Sequence, residues 1–144
     1  MFKSLFSVTV VACMALGIAN STLAQSPRTE TVKFERGASE ATINDQITGQ
    51  EIAVYEVAAR QGQRLKVQLE PSNLETYFNV YVPGKGPGME AWANAQFTSI
   101  VVPEVNCFDS ILPDSGAYSI MVFMMRSAAR RGEVSDFKVH FSIE

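Results

Sequence analysis

From Leu65 to Leu69, and again from Phe137 to Ile143, apolar and polar residues alternate at every step. Leu65, Val67 and Leu69 enclose Lys66 and Gln68, while Phe137, Val139, Phe141 and Ile143 enclose Lys138, His140 and Ser142. Successive side chains of a strand point to opposite faces, so this period of two makes one apolar face and one wetted face. That is the pattern of a half-buried antiparallel strand. Val32 and Phe34 carry a shorter version within residues 31–35, and weaker runs cover 41–48, 52–59, 75–82, 97–102 and 106–112. Turn chemistry separates the runs at Arg36-Gly37, Thr48-Gly49, Gln61-Gly62-Gln63, Pro83 to Gly88 and Asp114-Ser115-Gly116. Strands spaced this way predict an all-β fold, an antiparallel β-sandwich of about eight strands.

The run at 117–125 differs because both of its faces are apolar. Tyr118, Ile120, Val122 and Met124 lie on one side, and Met121, Phe123 and Met125 on the other. The pattern predicts a central strand covered on both sides; the alternative is an exposed, adaptable Met and Phe patch for a partner. No segment has sustained helical periodicity, and the best place for one or two helical turns is Arg126 to Arg131.

The first two dozen residues follow a different rule. Met1-Phe2-Lys3 precedes an apolar run from Leu5 to Ala19 and then the polar Asn20 to Gln25. A charged start, an apolar centre and small residues at Thr22 and Ala24 predict a secretory signal peptide over residues 1–24, cleaved before Gln25. Val10-Val11-Ala12-Cys13 loosely resembles a lipoprotein box, but apolar residues rather than a polar tether follow it. The expected product is a single periplasmic domain, residues 25–144, with no membrane attachment after cleavage. Loss of Lys3 leaves eleven basic residues against fifteen acidic ones, a net charge of −4. Such a balance disfavours nucleic acid, whose binding rests on neutralising phosphates, and favours a cationic partner. Cys107 would be the only cysteine left, so no internal disulfide is expected; Phe108, Ile111 and Leu112 beside it favour burial.

Catalysis finds little support. His140, the one histidine, falls on the polar side of the last run and reads as a solvated strand residue. No nucleophile elbow, HExxH or CxxC motif occurs, and one Cys with one His does not compose a zinc site, so no metal and no cofactor are expected. Gly84-Lys85-Gly86 lacks the P-loop pattern and reads as a flexible hairpin loop. The acidic residues are scattered singly, without a visible pair for glycoside chemistry.

Cationic residues, by contrast, concentrate at one place. Arg126, Arg130 and Arg131 fall within six residues, with only Ser127, Ala128 and Ala129 between the first two. Four residues apart, Arg126 and Arg130 would share one face of a helical turn. Paired guanidinium groups suit carboxylates, which they hold through planar double hydrogen bonds. The plainer reading is a solvated connection whose arginines pair with this chain's own acids. Upstream, Tyr118 follows a turn and could tie its hydroxyl to nearby backbone, as tyrosine corners do, and Ser115-Gly116 could simply complete the turn that Asp114 begins.

With those residues in view, the sequence resembles the periplasmic inhibitors of goose-type lysozyme. Val32-Lys33-Phe34, Gly37, Ile47 to Gly49, Tyr55, Ala58 and Gly62-Gln63 fit the first half; Ser115-Gly116-Ala117-Tyr118 and Arg126-Ser127-Ala128-Ala129-Arg130 fit the second most strongly. The resemblance implies a non-catalytic β-sandwich that plugs a lysozyme's substrate cleft. Arg126 and Arg130, with Arg131 beside them, would reach the enzyme's acids, while Ser115, Gly116 and Tyr118 would shape or support the inhibitory edge. Residues 49–54 depart from the family pattern, and the loop from Pro83 to Gly88 is an insertion that leaves the cleft geometry open. The other reading is a carbohydrate- or cell-surface-binding β-sandwich akin to those of secreted peptidases. A homo-oligomer stays open under both.

Overall fold

The computed structural model describes residues 26–94 and 106–144. The expected signal peptide and the expected strand at 97–102 lie outside them.

The described residues form nine strands and one short helix: β1 (Arg28–Thr31), β2 (Glu40–Thr48), β3 (Ala53–Ala59), β4 (Arg64–Pro71), β5 (Thr76–Tyr81), β6 (Ala93–Asn94), β7 (Cys107–Ile111), β8 (Gly116–Met124), α1 (Arg126–Arg130) and β9 (Val134–Ile143). They build two sheets, ordered β1-β3-β8-β5-β6 and β2-β9-β4-β7. Every pairing is antiparallel except β1 with β3, which is parallel. The sandwich expected from the alternation is present, with that one parallel edge added.

The two inner faces make the core. Tyr55, Phe78, Tyr118 and Ile120 from the first sheet meet Leu65, Val67, Val139 and Phe141 from the second. Tyr55 lies edge-on to Phe137 and Phe141, with ring centroids 6.4 and 6.0 Å away. Each such side chain, taken fully out of water, contributes about 1.5–3 kcal/mol. Near one end of the core, the hydroxyl of Thr76 on β5 donates to Ser135 Oγ on β9 at 2.7 Å, joining the sheets through a buried polar pair.

Three expectations need correction. The apolar pair Val32 and Phe34 does pack on the core, but the ladder they were expected to mark runs over Arg28–Thr31 instead. Alternation reports burial, whereas an edge ladder is made by backbone groups, and all four β1 side chains are exposed. Next, β8 is central, between β3 and β5, yet fully covered on its inner face only: Tyr118, Ile120 and Val122 are buried there, while on the other face Ser119 is buried and Met121 and Phe123 are half-buried. Finally, Cys107 is half-buried on the outer face of its sheet, because Phe108 takes the inward position of β7.

One charged side chain occupies a core-facing position. Asp45 shares its face of β2 with Ala41, Ile43 and Ile47. Its Oδ2 accepts from Arg28 Nη1 on β1 at 2.7 Å and from the Tyr55 hydroxyl at 2.6 Å, and its Oδ1 accepts from the Gln46 amide at 2.8 Å. Partial burial pushes the carboxyl up, but the hydrogen bonds from Arg28, Tyr55 and Gln46, with the Arg28 charge, outweigh it and hold Asp45 below the ordinary carboxylate range. Burial first, and the neighbouring carboxylate second, push the Tyr55 phenol well above its usual value. This triad latches the edge of one sheet to the edge of the other.

Candidate functional site

Three connections cross between the sheets side by side at one end of the sandwich: the β2–β3 turn, the β8–β9 connection that contains α1, and the β4–β5 turn. α1 is the middle one, and its geometry follows from local sequence. Ala128 and Ala129 favour helix, and Gly132 ends it with a φ of +66°. The Gly132 amide donates to the Ala129 carbonyl at 3.1 Å and the Glu133 amide to the Ala128 carbonyl at 3.2 Å, the paired bonds of a Schellman ending. Ala128 is wholly buried beneath the turn. The Met125 amide donates to the Glu75 carbonyl and the Gly49 amide to the Glu133 carbonyl, both at 2.8 Å, so α1 is tied to the connection on either side. Gly49 has a φ of +58°, and a Cβ there would stand 3.4 Å from the Ala129 carbonyl oxygen.

On this anchored turn Arg126 and Arg130 are exposed and one helical turn apart. Among the described residues neither makes a side-chain hydrogen bond or ion pair. Both line a cleft of about 370 Å³ between α1 and the β2–β3 turn, together with Glu51, Ile52 and Phe123. Glu51 does not stand free there, because its Oε2 accepts from the Thr48 amide at 2.7 Å. Arg131 is different: its Nε donates to Glu133 Oε1 at 2.7 Å. That bond, with a second from Asn73 Nδ2 at 2.9 Å, holds the Glu133 carboxyl below its ordinary value.

Ser115, Gly116 and Tyr118 lie elsewhere. β8 runs from Gly116 to Met124, and at about 3.3 Å per residue its ends are roughly 26 Å apart. All six sequence-predicted residues therefore do not form one cleft; the arginines are at one end and the serine–glycine pair at the other. Ser115 Oγ accepts from the Gln61 amide at 2.9 Å. Gly116 has a φ of +144°, and a Cβ there would meet Pro83 Cβ at 2.7 Å. Tyr118 is 0% exposed, and its hydroxyl donates to the Asp114 carbonyl at 2.7 Å and accepts from the Asp114 amide at 3.2 Å, a tyrosine corner. A partner cannot touch a side chain that is sealed in this way. The Pro83–Gly88 loop, expected to be an insertion, follows β5 at this same end and does not line the arginine cleft.

The arginine end offers two exposed guanidinium donors, with the carboxylates of Glu51, Glu75 and Glu133 on the same three connections. His140 is remote from it on the outer face of the four-stranded sheet, with Nδ1 2.7 Å from Thr42 Oγ1. No group of three or more His, Cys, Asp or Glu among the described residues is placed to hold a metal ion. Sequence reasoning did not single out the walls of the cleft, Glu51 and Ile52, nor the β4–β5 turn that flanks α1.

No family model matches the chain. It is 26% identical over 134 residues to the Escherichia coli K12 inhibitor of g-type lysozyme, an alignment covering 92% of this chain and 94% of that protein. Among solved structures, Aeromonas hydrophila PliG, a periplasmic lysozyme inhibitor of g-type lysozyme, superposes with a TM-score of 0.73 at 32% identity, covering 81% of this chain and 96% of that one. Salmonella Typhimurium PliG, described in the same terms, gives a TM-score of 0.64 at 24% identity over 83% of this chain and all of its own.

Proposed function

The chain belongs to the family of periplasmic inhibitors of g-type lysozyme, and from that membership we propose that it inhibits a g-type lysozyme by seating Arg126 and Arg130 against carboxylates of the enzyme's substrate cleft. The observation that carries the reading is the state of those two side chains. They are exposed, one helical turn apart on an anchored turn, and without an internal ion pair among the described residues.

A muramidase needs a protonated carboxyl to donate to the leaving oxygen, and it concentrates negative charge where the sugar becomes oxocarbenium-like. A guanidinium placed there occupies the position of the developing positive charge. It also lowers the pKa of the adjacent acid, which stays ionised and has no proton to give. The sandwich behind it excludes the glycan strand. Ser115, Gly116 and Tyr118 serve this indirectly, by fixing β8, whose far end carries α1.

Titration of the purified mature protein against goose-, chicken- and invertebrate-type lysozymes, with cell-wall lysis as readout, tests the proposal. Stoichiometric inhibition of the goose-type enzyme is expected, and Arg126→Ala or Arg130→Ala should each weaken the complex by about 2–5 kcal/mol if the pair is desolvated there. Variants that inhibit as well as wild type would reject the arginine roles. Binding to isolated glycans with indifference to the arginines would assign the domain to carbohydrate recognition instead.

A further inference from the structure

We infer that Leu74, on the turn joining β4 to β5, is an apolar anchor of the same docking end, entering a hydrophobic hollow in the lysozyme's cleft wall beside the carboxylates that take the arginines. The inference rests on the function proposed above. Leu74 is 82% exposed, the most open of the large apolar side chains among the described residues. A solitary surface leucine by itself means little. Its mounting is what sets this one apart.

Every neighbour of Leu74 on the turn is tied down. The Ser72 amide donates to the Asp136 carbonyl at 2.7 Å, and Ser72 Oγ accepts from the Asp136 amide at 2.9 Å. Asn73 Oδ1 accepts from the Glu75 amide at 3.0 Å, and its Nδ2 donates to Glu133 Oε2 at 2.9 Å. The Glu75 carbonyl accepts from the Met125 amide at 2.8 Å. Met125 and Glu133 bracket α1, so the turn and the arginines are held in one frame. Leu74 is thereby presented without the ordering cost that a mobile loop incurs on binding.

The partner's chemistry fits both features. A cleft that cleaves a polysaccharide sets a few carboxylates among apolar walls that lie against sugar faces. A cationic pair with an aliphatic side chain on the next connection complements that mixture.

The test uses the full mature protein with Leu74→Ala, Leu74→Asp and Leu74→Met, measured against g-type lysozyme for inhibition and for binding rates. Leu74→Ala should weaken binding about tenfold through faster dissociation, with the thermal midpoint and the salt dependence of association unchanged. Leu74→Asp should weaken it further, since it brings a carboxylate towards acids, and Leu74→Met should stay near wild type. If Leu74→Asp inhibits like wild type while Arg126→Ala fails, the leucine has no such role and the arginine reading stands. If neither variant alters inhibition, both readings fall.

Discussion

The two ends of β8 carry the two segments singled out from the sequence, yet they handle polar groups in opposite ways. At the Gly116 end each polar group singled out from the sequence is answered within the chain: Ser115 by the Gln61 amide, and the Tyr118 hydroxyl by Asp114. At the Met124 end Arg126 and Arg130 have no such answer among the described residues. Unspent hydrogen-bonding capacity on a rigid mount is what a partner can use, while spent capacity holds a fold together. The comparison predicts that damage at the first end is read in stability, and damage at the second in binding.

Tyr118→Ala should break the comparison hardest if it is wrong. Removing a fully buried aromatic ring leaves a cavity beside Trp92, whose ring centroid lies 6.2 Å from that of Tyr118, and should cost about 3–5 kcal/mol in urea unfolding. The fraction that remains folded should still inhibit with wild-type affinity, since the side chain faces no partner. A Tyr118 variant of unchanged stability and weakened inhibition would move the docking surface to the wrong end of the strand.

The Arg28–Asp45–Tyr55 latch gives a smaller and pH-dependent effect, because here too charge is answered internally. The folded Asp45 carboxyl lies below its ordinary 3.8, so its contribution is present above that value and is lost as pH falls through the lowered one. Asp45→Asn should therefore cost on the order of 1 kcal/mol at neutral pH. The gap between variant and wild type should close under acid conditions. Asp109, held low by Arg64, and Glu133, held low by Arg131, keep part of the acid sensitivity in the variant. A gap that widens on acidification would show that Asp45 titrates in the other direction.

The strands were legible because a sandwich core imposes period two on whatever lines it, and the runs at 65–69 and 137–143 fall within β4 and β9. The helical turn at Arg126 was legible from local chemistry, alanines followed by a glycine. Long-range pairing was not. Asp45 sits in the apolar phase of its run, but nothing in alternation says that Arg28 and a tyrosine of the opposite sheet will meet it. The separation of Ser115 from the arginines, by contrast, was already implied by the run at 117–125, which reads as an extended strand between them. Leu74 escaped because Pro71 to Glu75 has no glycine and no periodicity, and most of the bonds that hold it come from residues 50 or more positions away.

Arg131 sharpens the comparison from within the arginine end. It is exposed and next to Arg130, but its guanidinium already donates to Glu133 Oε1, and Glu133 is held in turn by Asn73. To meet a partner's carboxylate it would have to use its remaining Nη donors or leave that pair. Arg131→Ala removes an exposed ion pair, worth about 0–1 kcal/mol of stability. Its effect on inhibition should be similarly slight, several-fold below that of Arg126→Ala. The variant also frees Glu133, whose charge then faces an acidic cleft, so a modest slowing of association at low salt is expected and should vanish as salt is raised. A loss as large as that of Arg130→Ala would mean that Arg131 meets the partner as well, through its Nη donors or by leaving Glu133, and that an internal partner alone does not mark a cation as structural.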